Sequence, residues 1–389
     1  MNRLPVHRIY LDYAATTPAR AEAIAAMLPL HRDVGYNPSS LHAEGRAARA
    51  ALDDARCTVA RVLGARPREI VFTGGGSESI CLGVIGAARA RAARGRHVIG
   101  SAIEHHAVLH ALDVLENDGW SITRLPVDGD GRVDPDTFRR ALRPDTTLAT
   151  FMLANNEIGT LEPIAELAAI ARRAGVVLHT DAVQAPFLVP LDVDELGVDL
   201  LSLSGHKFYG PKGVGVLYVR SGTAIAAQIV GGGQEHGLRA GTENVPGIAG
   251  LAVALELAQA HCAQNTARLA VLRDRLEAGI RAAIADVRVN AAGAPRLAGI
   301  CSVAFADAAA DALLMRLDLE GIAVSAGSAC AAGSLEPSHV AEAIGLAPRF
   351  VGGVIRFSLG HMTTAGEVDR VLAVLPQLVS EVRGIEAVV

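Results

Sequence analysis

Lysine is almost missing from this 389-residue chain: of 36 basic side chains only Lys207 and Lys212 are lysines, and the other 34 are arginines. No block of one charge is present either. The arginines are dispersed, and 36 basic against 41 acidic residues leave a formal charge of −5, so there is no basic footprint for a nucleic-acid backbone. The N-terminal MNRLPVHRIYLDYAATTP has no apolar core of the roughly 7–15 residues a secretory signal needs. No charge-free apolar run reaches the ~20 residues of a spanning helix, so a soluble, cytoplasmic protein without a membrane partner is expected. Paired cysteines are lacking too. Cys57, Cys81, Cys262, Cys301 and Cys330 are odd in number, widely spaced and form no CxxC pair, which fits neither a disulfide framework nor a zinc site; they read as free thiols.

What is present is apolar bulk. Half the residues are hydrophobic, enough for a sizeable core, and the length allows about two domains. From about 68 to 220, short β-branched runs alternate with helical stretches, the pattern of an α/β domain with a mainly parallel sheet. The expected strands are 70–72, 97–101, 147–152, 176–181, 200–203 and 215–219, with helical spacing at 107–115 and 164–174 between them. An Ala/Leu-rich segment over 245–284 reads as one long helix or two, leading out of this domain. A second, smaller α/β domain follows, with strands at 300–305 and 354–358, a helix at 311–319, and a last helix opened by a Thr364–Glu367 capping box.

The two lysines share one segment, SLSGHKFYGPKG, in which Lys207 follows a strand and a Ser-Gly-His turn, where side chains reach the open carboxyl end of a parallel sheet. An amine can form a Schiff base and lose a proton; a guanidinium can do neither. Chance survival of two solvated lysines is the plainer alternative. Asp181 ends an apolar strand, with Gln184 one turn later; it suits a pyridinium partner in a pyridoxal phosphate enzyme, or a helix N-cap. Upstream, IVFTGGGSES is a strand, a glycine turn and a helix start, which reads as a phosphate cradle around Gly76 and Ser77 or as a flexible turn. It matches neither nucleotide-binding glycine pattern. Glu104-His105-His106 follows the next strand and places an imidazole where it can lie against a planar ring, unless His105 is simply a structural hydrogen-bonding residue.

Together these residues resemble fold-type I pyridoxal phosphate enzymes of the class V aminotransferase superfamily, and within them cysteine desulfurases of the NifS/IscS type. The resemblance runs through YLDYAATTP, NPSSLHAEG, REIVFTGGGSES, EHHAVL, NNEIGT, HTDAVQA, SGHKFYGPKG, GGGQEHGLRAGTEN, SAGSACAAGSLEPSHV and IRFSLG. It implies a large cofactor domain over 15–258 and a small domain built from 1–14 and 259–389. By motif, Lys207 would carry pyridoxal 5'-phosphate and move the substrate α-proton, Asp181 would pair with the pyridinium nitrogen, and Gln184 would bond the ring hydroxyl. His105 would stack on the ring, with Asn156 near ring and substrate. Gly76, Ser77, Ser204 and His206 would hold the phosphate, with Thr242 reaching across from a second subunit; a homodimer is thereby implied. Arg356, helped by Asn37, would bind the carboxylate of the substrate, L-cysteine, a bidentate task suited to guanidinium.

Cys330 stands in a run of small residues, SAGSACAAGS, that offers no side chain to anchor a core, whereas Cys301 is flanked by apolar residues at strand spacing. The resemblance makes Cys330 the nucleophile that takes the substrate sulfur as a persulfide, leaving L-alanine, and passes it to a sulfur acceptor or iron-sulfur scaffold protein. Ile80 and Cys81 stand where the family has polar residues, and the chain stops at Val389 where IscS-type members have a longer docking tail. The alternatives are a selenocysteine lyase or other pyridoxal phosphate enzyme of the same fold, and a non-enzymatic binding platform.

Overall fold

The computed structural model describes residues 8–327 and 338–386. After a short strand β1 (Ile9–Tyr10), seven strands build the main sheet: β2 (Ile70–Thr73), β3 (His97–Ser101), β4 (Ser121–Leu125), β5 (Thr146–Met152), β6 (Val177–Asp181), β7 (Leu200–Ser204) and β8 (Gly215–Val219). Their order is β2-β8-β7-β6-β5-β3-β4, and β8 runs antiparallel to the other six.

Adjacent residues on these strands belong to different cores, because successive side chains leave opposite faces. Ile99, Ala149, Leu178 and Leu201 join one cluster; Val98, Leu148, Val177 and Leu200 join the other. The first face is covered by helices Ala43–Leu63, Ile164–Ala174 and Val245–Ala260, through Leu52, Leu167 and Leu251 among others. The second is covered by Gly76–Ala90 and His106–Asn117, through Leu82, Val84 and Leu112. With both faces buried, the strands read as the near-continuous apolar runs expected of a parallel sheet. The exception is β4, an edge strand absent from the expected set: SITRL buries only Leu125, so it lacks the continuous apolar run that marks the other strands.

The 245–284 segment is two helices, Val245–Ala260 and Cys262–Ala283, bent by 67° around His261. Among the described residues no single helix is long and apolar enough to cross a membrane. Beyond the bend lie β9 (Val287–Val289), β10 (Ile300–Phe305), β11 (Ile322–Ala323) and β12 (Val354–Ser358). Three of them form an antiparallel sheet in the order β12-β10-β9, while β11 pairs in parallel with β1 and so ties the N-terminal segment to this part of the fold. The last helix, Ala365–Glu386, has the expected capping box: Thr364 N–H donates to Glu367 Oε2 (2.7 Å) and Glu367 N–H to Thr364 Oγ1 (3.3 Å).

Candidate active site

The parallel strands of the main sheet all open on one rim, and most of the expected site residues stand there. Lys207 closes the single-turn Gly205–Lys207 helix directly after β7, and its Nζ donates to the carbonyls of Ala14 (2.6 Å) and Ala15 (2.9 Å). The Ala14 carbonyl also accepts from Gln184 Nε2 (2.9 Å), so one backbone oxygen fixes both side chains. Asp181, the last residue of β6, is 5% exposed and accepts from Val183 N–H (2.9 Å). Burial pushes its carboxyl up to about 6, against the pull of that hydrogen bond and the Lys207 charge.

His105 is the N-cap of the His106–Asn117 helix, its Nδ1 accepting from Ala107 N–H (3.1 Å). Burial, and then the Lys207 charge, pushes the ring down to about 4, so it is neutral at neutral pH. His206, bonded through Nδ1 to Thr16 Oγ1 (3.0 Å), is likewise driven down to about 4 by burial, then by Lys207 and Lys212.

The glycine turn lies flat on the sheet edge. Gly75 has φ +153°, and a Cβ on Gly76 would meet Ser204 Cβ at 3.1 Å and Val183 Cγ2 at 3.2 Å. Gly215 abuts the turn from below, since a Cβ there would lie 2.6 Å from the Gly75 carbonyl carbon. One helical turn on, Ser79 Oγ donates to Val216 O (2.7 Å) and bonds Ser202 Oγ (2.8 Å), which also contacts His179 Nε2 (2.9 Å). The result is a cavity of about 540 Å³ whose lining includes Gly75, Gly76, Ser77, Ser204 and His206. It faces the start of the Gly76–Ala90 helix, where free N–H groups and the helix dipole favour an anion. Ile80 is 2% exposed in the core and Cys81 packs against the same cluster. The departure at these positions therefore serves packing under the sheet.

The small sheet supplies Arg356 from the middle of β12. It is 1% exposed, donating from Nη1 to the Asn156 carbonyl (2.7 Å) and from Nη2 to Asp12 Oδ1 (2.7 Å). Its Nε is buried with no hydrogen-bond partner among the described residues. Asn156 itself is buried beside it in sequence to Asn155, whose Oδ1 accepts from Glu157 and Ile158 N–H and shapes that turn. Arg356 also exchanges backbone hydrogen bonds with Ser325 (2.8 and 3.2 Å).

Three expected residues are exposed: Asn37, whose Oδ1 accepts from Ser39 N–H (2.9 Å), Ser77 and Thr242. Cys330 lies outside the described residues. Two carboxylates were not anticipated from sequence as parts of the site. Asp12, inside YLDYAATTP, is the counter-ion of Arg356. Glu104 is fully buried, accepts from Ser101 Oγ (2.5 Å) and Met152 N–H (3.0 Å), and is held well above the usual carboxylate range by burial, which outweighs the lowering by those two bonds. Its place directly before His105 was the available signal.

A buried carboxylate poised near 6 suits a cationic ring nitrogen, a neutral imidazole suits a ring face, a lysine amine suits an aldehyde, and the glycine cradle suits a phosphate. The residues present fit pyridoxal phosphate, and fold and site together define a fold-type I pyridoxal phosphate enzyme. Residues 9–371 match the aminotransferase class-V family, and the chain belongs to it. It is 49% identical over 377 residues to the cysteine desulfurase IscS of Dictyoglomus turgidum, covering 97% of this chain and 96% of that one. It is 48% identical to the cysteine desulfurase IscS of Methanosarcina thermophila, covering 96% and 93%. A solved NifS-like protein superposes with a TM-score of 0.90 at 35% identity, covering 96% of this chain and all of that one. The activity is that of a cysteine desulfurase, with pyridoxal phosphate as cofactor and L-cysteine as substrate.

Proposed function

We propose that L-cysteine binds with its carboxylate at Arg356, assisted by Asn37, and its amino group toward Lys207, which moves the α-proton. Pyridoxal phosphate, when bound, supplies an electron sink for the substrate carbon. Asp181 pairs with its ring nitrogen, Gln184 bonds its hydroxyl, His105 lies on its face and Asn156 lines ring and substrate. Gly76, Ser77, Ser204 and His206 take the phosphate, joined by Thr242 from the second copy in a homodimer.

The thiolate of Cys330 then attacks the substrate sulfur. An S–S bond forms, the substrate C–S bond breaks with its electron pair going to carbon, and that carbon takes up a proton and leaves as L-alanine. The persulfide left on Cys330 goes to an acceptor, an iron-sulfur scaffold or related thiolation protein, in the cytoplasm. In this reading 15–258 is the cofactor domain, and 1–14 with 259–389 the small domain.

The observation that carries the proposal is the Ser325–Arg356 backbone pair, which roots the segment leading to Cys330 on the strand of the carboxylate-binding arginine. The test is incubation with L-cysteine, followed by alanine quantification and mapping of the persulfide. Wild-type protein is expected to carry it on Cys330 and Cys330→Ala to carry none; persulfide formation intact in Cys330→Ala would remove the nucleophile assignment.

A further inference from the structure

The second lysine has no part in the chemistry above. Lys212 lies in the connection between β7 and β8, the same connection that carries Lys207. That connection is stiff. Gly205 N–H bonds Val214 O (3.0 Å), Gly210 N–H bonds Gly205 O (2.9 Å), and Gly213 takes the left-handed conformation (φ +74°) that a tight reversal requires. Ser204 and Gly215 pair directly across the two strands, so the hairpin's tip is held beside the Gly74–Gly76 turn on which Gly215 abuts.

Lys212 consequently lines the same cavity as Gly76, Ser77, Ser204 and His206, and among the described lining residues it is the one lysine or arginine. The cavity's carboxylate, Glu78, is held by Arg239 (Nε–Oε1 2.8 Å), and the neighbouring His206 ring is neutral at neutral pH. A phosphate dianion in this cradle would thus meet glycine N–H groups, hydroxyls and a helix start, with one full positive charge at the mouth.

We infer that Lys212 is a cofactor-binding residue that neutralises the phosphate of pyridoxal phosphate from the solvent side of the glycine cradle. Lysine acts on phosphate as a point charge and needs no bidentate geometry, so the role depends on charge more than on shape. This separates the two lysines: Lys207 must be an amine, whereas Lys212 must only be a cation.

The inference rests on the phosphate lying at Gly76–Ser77, and the test distinguishes the two. Apoprotein is titrated with pyridoxal 5'-phosphate and with pyridoxal, which lacks the phosphate, and binding is followed by absorbance and by release rate. Lys212→Gln is expected to weaken pyridoxal phosphate binding about 5- to 10-fold, with a reduced salt dependence, while pyridoxal binding is unchanged; Lys212→Arg keeps the wild-type preference. Gly76→Val serves as the reference, with the preference for the phosphorylated form lost. If Gly76→Val loses it and Lys212→Gln does not, Lys212 has no such role; if neither loses it, the phosphate is not in this cradle. Equal weakening toward both ligands in Lys212→Gln would mark a structural role and overturn the inference.

Discussion

On the rim of the main sheet, Lys207, His105 and His206 stand in turns just past strand ends and Asp181 at the very end of its strand, whereas Arg356 stands mid-strand in the small sheet and is nearly inaccessible. A turn residue can be aimed at a ligand without disturbing the ladder that carries it. A mid-strand arginine is part of the core, and its charge is tolerated only because Asp12 and the Asn156 carbonyl meet it. Chemistry and stability are therefore separable on the rim and joined in the small sheet.

The largest break of that comparison comes from the rim. Lys207→Arg is expected to abolish alanine formation, a loss of at least about a thousandfold, with the melting temperature of the apoprotein nearly unchanged, since a guanidinium can still donate to the Ala14 and Ala15 carbonyls. Arg356→Lys should do both things at once. Loss of the fork geometry raises KM for L-cysteine by about 10- to 100-fold, and the melting temperature falls. Arg356→Met goes further on stability, by about 3 kcal/mol, because Asp12 loses its counter-ion. Denaturant titration alongside steady-state kinetics checks both; an Arg356→Met protein as stable as wild type would end the contrast between the two regions.

The last effect shows only as pH rises and concerns a group behind the rim. Glu162 is buried, accepts from Val133 N–H (2.9 Å), and is pushed by burial up to about 8. The folded chain keeps this proton through a window in which the unfolded chain gives it up, so stability falls as pH rises from about 4.5 to about 8. Glu162→Gln preserves the acceptor and should flatten that slope, leaving the variant more stable than wild type at pH 9 and the two alike near pH 4. Melting curves across pH measure it.

The rim was legible in sequence because in a parallel sheet each motif is local: strand, turn and functional residue follow one another within ten positions, as in IVFTGGGSES or SLSGHKFYG. The small sheet was legible only in part. Two of its strands, β10 and β12, announced themselves, but the three-residue β9 did not; and the Asp12–Arg356 pair joins residues 344 positions apart, with nothing near either one naming the other. The same limit hid the β1–β11 ladder, two residues long on each side. Glu104 escaped for a different reason, since a carboxylate beside a site histidine reads as a surface residue until its burial is seen.

The two-lysine connection also makes the enzyme its own reporter under proteolysis. A lysine-specific protease has two bonds to cut in the whole sequence, both between β7 and β8, and Lys212 is the exposed one while Lys207 is half-buried. Cleavage there would divide the chain at a single known point, giving a gel assay in which protection of one peptide bond tracks occupancy of the neighbouring cavity.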